Sequence, residues 1–434
     1  MHSSRIHSTH EAPPVALLFA VHMPEQQERE VTASLAELAH LLKGLGATVR
    51  TSIVQRLHQA PGPKVLGSGK LDELKGLVEA EQAAGDDDAK ILAVFDGELA
   101  PNQQRNLARE LGIEVLDRTQ VILRIFARRA RTRTAQLEIE SAELQYEGPR
   151  LRDDEALGDK QEGGGGRASK GASSVELRKQ QIRKRLADLR QEIEKAQRAD
   201  NARRERRSDV AGIALVGYTN AGKSSWMRAL TASQVLVQDA LFATLDTTVR
   251  QLSPPTRPPI VVADTVGFLR NLPNHLLASF RSTLSEALDA DLLVIVIDGS
   301  DPEWKAHLST TQEVLHKVEA LDMPTLYLVN KLDKMSDEDQ HAVRLELPEA
   351  LFVSARSADD VTRVHQAIVA FFHGQMSEVE LFVPYSHAAL RAEICAEASV
   401  LEETFDENGG RLRVRADQAS IERWKSRLPA MPAE

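Results

Sequence analysis

The sequence predicts an α/β protein. Its main layer is a parallel sheet covered by helices on both faces, preceded by a small α/β domain with a helical hairpin and followed by a small α+β domain. Three observations predict it. Apolar strand-like runs alternate with helical stretches over residues 15–118 and again over 208–374, the pattern of βαβ units. Residues 119–207 change instead to long polar helices interrupted by four glycines, Gly163 to Gly166. Residues 375–434 read as strand, helix, two strands and helix. At about 150 residues per domain, 434 residues suffice for this division. The shares of 42% apolar and 27% charged residues are ordinary for globular chains and exclude wholesale disorder, collagen and a membrane-span class.

Taken in order, residues 1–14 are His/Ser/Thr-rich, end in Pro13-Pro14 and read as a mobile tail. Val15–Val21 is seven apolar residues without a basic n-region or a small-residue cleavage pattern, so it reads as a strand. Thr48–Val54, Ile91–Phe95 and Ile113–Leu116 read as further strands, with Glu28–Leu42 and Lys70–Glu81 as helices. In the hairpin, Ile182, Leu186, Leu189, Ile193 and Ala196 recur at steps of four, three, four and three. That is a coiled-coil seam and predicts two helices joined by a flexible tip.

Charge concentrates there. From Arg167 to Arg207 fourteen Lys and Arg stand against six acids, a local +8 in a chain of net charge −10, and Arg203, Arg204, Arg206 and Arg207 close the run. Arg124, Arg128, Arg129, Arg131 and Arg133 crowd one further helix. A solvated helical face and a surface directed at RNA phosphates both fit such charge. Val210–Val216, Ile260–Ala263, Leu292–Ile297, Thr325–Val329 and Ala350–Val353 are the strands of the main sheet. Cys395 is the only cysteine, which excludes an intramolecular disulfide and a Cys-rich zinc site and fits a reducing, cytoplasmic setting.

The segment Gly217-Tyr218-Thr219-Asn220-Ala221-Gly222-Lys223-Ser224 matches G-x-x-x-x-G-K-[ST] between a strand and a helix that continues through Ser225. Such a loop turns its amides toward phosphates, and the helix N-terminus adds partial positive charge. Lys223 would neutralise phosphate directly, and Ser224 would place its hydroxyl on Mg²⁺. Asp264-Thr265-Val266-Gly267 follows a strand, so Asp264 can reach Mg²⁺ through water and the Gly267 amide can sense a γ-phosphate. Asn330-Lys331-Leu332-Asp333 also ends a strand. A carboxylate there accepts from both N1–H and the exocyclic amine of guanine, a pair adenine lacks, so the nucleotide is GTP or GDP. Ser354-Ala355-Arg356 would buttress the base through backbone amides.

The stretch Leu241-Phe242-Ala243-Thr244-Leu245-Asp246-Thr247-Thr248 reads as a γ-phosphate-dependent switch. Phe242, Ala243, Thr244 and Leu245 would line the nucleotide, and Thr248, rather than Thr247, would close on Mg²⁺. Lys223, Thr248 and Gly267 are therefore the expected catalytic set. Phe268 stands where a glutamine could orient the attacking water, which predicts slow intrinsic turnover. Asn220 could hold K⁺ near the bridging oxygen or merely brace the loop.

With these residues in view, the sequence resembles the HflX-type GTPases, ribosome-associated members of the translation-factor-related class. In the P-loop GTPase domain the resemblance rests on Gly217–Ser224, Leu241–Asp246 and Asp264-Thr-Val-Gly-Phe-Leu-Arg270 with Leu272-Pro273. N-terminally it rests on Gly67-Ser-Gly-Lys70 with Glu73-Leu74, Phe95-Asp96, Asp117-Arg118-Thr119 and Gln145-Tyr146 with Pro149-Arg-Leu151. The resemblance implies binding to the large ribosomal subunit and its rRNA, GTP-dependent dissociation of stalled or idle ribosomes, Mg²⁺ dependence and ATP binding by the N-terminal part. Gly67–Lys70 reads equally as a turn before the helix from Lys70. The chain departs from the family pattern at the tip, where Gly163–Gly166 and Arg167-Ala-Ser-Lys-Gly-Ala-Ser-Ser174 replace a G-T-R-G-P-G-E-like loop, and at Thr247, where a proline is usual. Two other functions stay open: an RNA- or ribosome-binding module gated by nucleotide without splitting, and a signalling GTPase acting on a protein partner through a coiled-coil hairpin. No DNA partner and no membrane span are expected, and the chain is expected to be a monomer.

Overall fold

Six successive buried residues, Val15 to Ala20, leave β1 (Val15–His22) no solvent-facing side and force it to the middle of a sheet. This computed structural model describes residues 13–59, 61–84, 90–151, 168–205, 210–232, 248–270 and 290–429. The Gly163–Gly166 tip, Phe242–Leu245, Thr247, Leu272-Pro273, Arg206 and Arg207 lie outside the described residues, as do the side chains of Arg203 and Arg204. Two compact units build the chain, one carrying residues up to Arg198 and the other most of the residues beyond it. Among the described residues no helix is long and apolar enough to cross a membrane.

In the first unit β1 pairs in parallel with β2 (Thr48–Arg56) and β3 (Ile91–Phe95), and β3 with β4 (Glu114–Asp117). Leu17 and Phe19 face α2 (Ser68–Ala84) and α3 (Pro101–Leu111), with Leu71, Leu74, Leu107 and Leu111 closing that core. Period-two alternation turns Ala16 and Leu18 to the face that α1 (Glu28–Gly44) covers. Helix α3 has no counterpart among the elements that the sequence predicts. Residues 67–70 form the entry to α2, with the Gly67 carbonyl accepting from the Leu71 amide and Lys70 paired with Glu73.

The motifs Phe95-Asp96, Asp117-Arg118 and Gln145-Tyr146 serve this core. Buried Arg118 pairs with Asp96 at 2.8 Å and with Glu37. Asp117 is fully buried and caps α4 (Arg118–Arg129) through the Gln120 amide, while accepting from the Tyr146 hydroxyl at 2.5 Å. Burial and the Asp117 charge raise the Tyr146 phenol, which stays protonated.

The arginines expected to crowd one helix are divided. Arg124, Arg128 and Arg129 lie on α4, Arg131 lies in the turn, and Arg133 opens α5 (Arg133–Arg150), whose N-cap Thr132 accepts from the Ala135 amide. Helix α5 pairs with α6 (Ala168–Glu205), and the predicted seam packs as expected, with Ile182 and Leu189 buried and Leu186, Ile193 and Ala196 half-buried.

Glu110 on α3 ties Lys64 and Lys75 together at 2.7 Å each, and these two ammonium groups hold its carboxyl down to about 2. A depressed carboxylate stabilises the fold above its unfolded value, and the effect is lost as pH falls toward the folded one. Glu110→Gln is expected to lower the melting temperature at pH 7. The gap from the parent should close as pH falls from 4.5 toward 2. A pH-independent gap in thermal melts would contradict the ion-pair account.

The second unit holds a six-stranded sheet of order β10-β9-β8-β5-β7-β6. Its strands are β5 (Ala211–Val216), β6 (Thr248–Gln251), β7 (Ile260–Asp264), β8 (Leu292–Asp298), β9 (Thr325–Asn330) and β10 (Leu351–Phe352). All pairs are parallel except β6 with β7, an antiparallel edge that the sequence pattern does not announce. Helix α7 (Lys223–Thr231) buries Trp226, Met227 and Leu230 against the sheet, and α10 (Ala358–Gln375) adds Val364, Ile368 and Phe372. Helices α8 (Trp304–Lys317) and α9 (Asp337–Glu346) complete the layer. Beyond it, β11 (Ser377–Pro384), β13 (Gly409–Ala416) and β12 (Ser399–Phe405) form an antiparallel sheet. Helices α11 (Ala388–Glu397) and α12 (Gln418–Arg427) pack Ile394 and Trp424 on it.

Candidate functional site

Parallel strands carry all their C-terminal ends to one edge, so loops far apart in sequence meet there. Here the order reverses at β5: β8 lies on one side and β7 on the other. The four predicted motifs follow β5, β7, β9 and β10, and Asp298 ends β8 beside them.

The phosphate loop is shaped by close approach. Gly217 has φ +141°, and a Cβ there would stand 2.3 Å from the Val296 carbonyl oxygen, so no side chain fits. Gly222 is the N-cap of α7 and brings no capping side chain to its first turn. Lys223 folds back beneath the loop, its Nζ donating to the carbonyls of Gly217 at 3.0 Å and Tyr218 at 2.8 Å. Burial holds this ammonium down to about 8, against the opposing pull of the Asp264 charge. Gly267 approaches it so closely that a Cβ would meet Lys223 Nζ at 2.9 Å and Thr219 Cγ2 at 2.8 Å. Asn220 stands at the crest with φ +60° and an exposed side chain.

The predicted metal donors come together. The Ser224 hydroxyl donates to Asp264 Oδ2 at 3.0 Å, and Thr248 opens β6 directly opposite Asp264. Hydroxyl and carboxylate oxygens are the hard donors Mg²⁺ takes, so the residues present fit that ion. Thr265 is buried, its hydroxyl donating to the Leu215 carbonyl at 2.8 Å, and Val266 is buried beside it. These two residues anchor the turn that carries Gly267.

The base motif is held to the loop by Asn330. Its Nδ2 donates to the Ala221 carbonyl at 2.7 Å and its Oδ1 accepts from the Ala355 amide at 3.2 Å. Lys331 adopts φ +63° and pairs with Asp298 at 2.5 Å. Asp333 accepts from the Ser354 hydroxyl at 2.6 Å and lies 3.6 Å from Arg356. The Ser354 hydroxyl, then a hydrogen bond from its own backbone amide and then the Arg356 charge, lower the Asp333 carboxyl, so it is ionised at neutral pH. The amides expected to buttress a base have partners within the fold: Ser354 donates to Asp360 at 3.0 Å, Ala355 to Asn330, and Arg356 to the Ser354 hydroxyl at 3.4 Å.

Two features lie beyond what the sequence predicts. Phe268 is buried and pairs with the loop: its amide donates to the Gly217 carbonyl at 3.1 Å, and its carbonyl accepts from the Thr219 amide at 2.8 Å. The phosphate loop and the turn bearing Gly267 are therefore tied together by two backbone hydrogen bonds. Asp298 holds Lys331, and its place just after the apolar run Leu292–Ile297 was the signal available for it.

Comparison with known proteins matches three stretches of the chain to families. Residues 32–127 match a family described as GTP-binding GTPase N-terminal, residues 129–207 one described as GTP-binding GTPase middle region, and residues 212–331 one described as 50S ribosome-binding GTPase. A GTPase HflX of Gluconacetobacter diazotrophicus is 44% identical over 96% of this chain and 98% of its own. The GTPase HflX of Escherichia coli is 32% identical over 97% and 98%. Among solved structures, a GTP-binding protein of Sulfolobus solfataricus in complex with GDP is 24% identical with a TM-score of 0.45, over 83% of this chain and 99% of that one.

Proposed function

The chain belongs to the HflX family of GTP-hydrolysing enzymes, and we propose that it binds the large ribosomal subunit through rRNA and couples GTP binding and hydrolysis to ribosome dissociation. The observation that carries the nucleotide half is the meeting of five strand ends at one sheet edge. There the phosphates would lie over the loop amides and the N-terminus of α7, with Lys223 neutralising their charge. Ser224, Thr248 and, through water, Asp264 would hold Mg²⁺, whose chemistry is to draw off charge between the β- and γ-oxygens. Gly267 would sense the γ-phosphate, Phe242–Leu245 would line the nucleotide, and Asn330, Lys331 and Asp333 with Ser354–Arg356 would take the base. A buried phenylalanine at 268 cannot orient water. Intrinsic turnover is therefore slow, and the ribosome, or K⁺ held by Asn220, supplies the missing electrostatics.

The ribosome half is supported by the hairpin and by the match of residues 212–331 to a family of 50S ribosome-binding GTPases. Arg178 and Arg185 are engaged across the hairpin by Glu147 and Glu140. Arg183, Lys184, Arg190, Lys195 and Arg198 face solvent, Arg183 and Arg198 meeting Glu176 and Glu194 of their own helix at 3.8 and 3.7 Å, and RNA phosphates could meet this face whatever the base sequence. A cytoplasmic monomer belongs to the same reading. The departed tip sequence favours one rival, docking without splitting.

Sedimentation through sucrose with purified large subunits tests the proposal. The chain should pellet with a non-hydrolysable GTP analogue and not with GDP, and recovery should fall steeply as salt rises. Equal recovery in both nucleotide states would remove the coupling, and no recovery would leave a switch acting on a protein partner. Light scattering of 70S-type particles then separates splitting, seen as a fall in intensity, from docking alone.

A further inference from the structure

We propose that His307 is a positioning residue for GTP hydrolysis, acting on the phosphate loop through the ring of Tyr218; the inference rests on the nucleotide half of the proposed function. The loop is gripped from two sides. On one side Phe268 exchanges backbone hydrogen bonds with Gly217 and Thr219. On the other the Tyr218 ring lies flat on the His307 imidazole, centroids 3.8 Å apart and planes 13° from parallel. His307 sits in the first turn of α8, its amide donating to the Glu303 carbonyl at 3.0 Å and its own carbonyl accepting from Thr311 at 2.8 Å. Its Nδ1 stands 3.7 Å from the Asp301 carboxylate. The imidazole is therefore placed by α8 and the turn before it, not by the loop it supports.

What that support fixes is the Tyr218 carbonyl, which accepts from Lys223 Nζ at 2.8 Å. Gly217 on one side of it has no side chain to anchor. Thr219 on the other buries a hydroxyl that finds no hydrogen-bond partner among the described residues. Beside the stack lies a small cavity lined by Thr219, Ile297, Asp301, Leu308 and Thr311. Removing the imidazole would join its volume to that cavity, and a larger void loses packing contacts outright. Tyr218 would then settle toward α8, carrying its carbonyl and the ammonium group away from the phosphate. Displacements of about 1 Å in a reacting site cost up to about 10²-fold in rate. The expected change here is smaller, because Phe268 still holds the loop from the opposite side.

Single-turnover GTP hydrolysis and fluorescent-GDP binding by the full chain test this. His307→Ala and His307→Gln should each lower turnover about tenfold while GDP affinity changes less than about threefold. His307→Phe, which restores a flat ring, should stay within about twofold of the parent. The loss in a Tyr218→Leu, His307→Ala double variant should fall short of the sum of the two single losses, since both act through one contact, and full additivity would overturn the inference. The inference is overturned if turnover is unchanged in both ringless variants, if His307→Phe falls as far as they do, or if GDP affinity falls in step with turnover. A parent chain that binds no guanine nucleotide overturns the nucleotide reading itself, an outcome seen before any variant is compared.

Discussion

Lys223→Ala abolishes triphosphate binding: a fluorescent-GTP titration that saturates with the parent stays flat with the variant. The Nζ is buried and held by two loop carbonyls, and burial pulls its affinity for a proton down to about 8. The fold thus holds an ammonium group whose burial outweighs the pull of the Asp264 charge, and a polyphosphate is the kind of group that would offset it. Removing one partner of a close, desolvated charge pair costs about 2–5 kcal/mol, which is between about 30-fold and several thousandfold in affinity. The same depressed proton affinity predicts that the empty fold loses little stability with the side chain. The melting temperature without nucleotide should move only slightly, while the rise that saturating GTP produces in the parent disappears. A thermal-shift assay reads both at once. Retention of that rise in Lys223→Ala would remove the lysine from the site.

The fold was legible wherever a strand is buried on both faces, because such strands are continuous apolar runs. Three strands of the first unit and all five parallel strands of the main sheet lie within a few residues of where those runs place them, while β2, an edge strand that buries only Ile53, was legible from its β-branched residues instead. Strand β6 was not, since Thr248-Val-Arg-Gln251 is a short edge whose pattern is mixed and whose pairing is set by β7. Helix α3 escaped because its sequence, Pro101-Asn-Gln-Gln-Arg, is polar at the outset and buries only Leu107 and Leu111. The merging of α4 with the start of α5 has a similar cause. No glycine or proline marks Ala130–Thr132, and the break depends on Thr132 capping the next helix. At the site, residues that carry chemistry by spacing were visible: Gly217–Ser224, Asp264–Gly267 and Asn330–Asp333 each follow a strand. The pairing of Phe268 with the loop, the bond from Asn330 to Ala221 and the stack of Tyr218 on His307 were not. Each joins residues that no local pattern relates, and the sheet alone makes them neighbours.

Asp333→Asn should exchange one base for another without dismantling the pocket. The carboxylate offers two acceptors where guanine offers two donors, and the Ser354 hydroxyl and Arg356 keep it ionised. An amide keeps one acceptor, which can still take the Ser354 hydroxyl or the N1–H, but presents an N–H₂ where the second acceptor stood. Against guanine that group meets another donor. Against xanthine it meets the C2 carbonyl, which accepts. Sites built around a hydrogen-bonding group reject the mismatched partner by about 10⁴-fold when the pocket is closed. Because the Asp333 side chain is 36% exposed, water can satisfy part of the loss and the expected fall in GTP affinity is nearer about 10²-fold. XTP should gain affinity over the parent and support hydrolysis, since Lys223, Ser224 and Asp264 lie in the phosphate part of the site and are untouched. Competition of GTP and XTP for the fluorescent nucleotide measures the switch directly. If the variant still prefers GTP, Asp333 does not read the base, and the assignment of the pocket at the end of β9 fails with it.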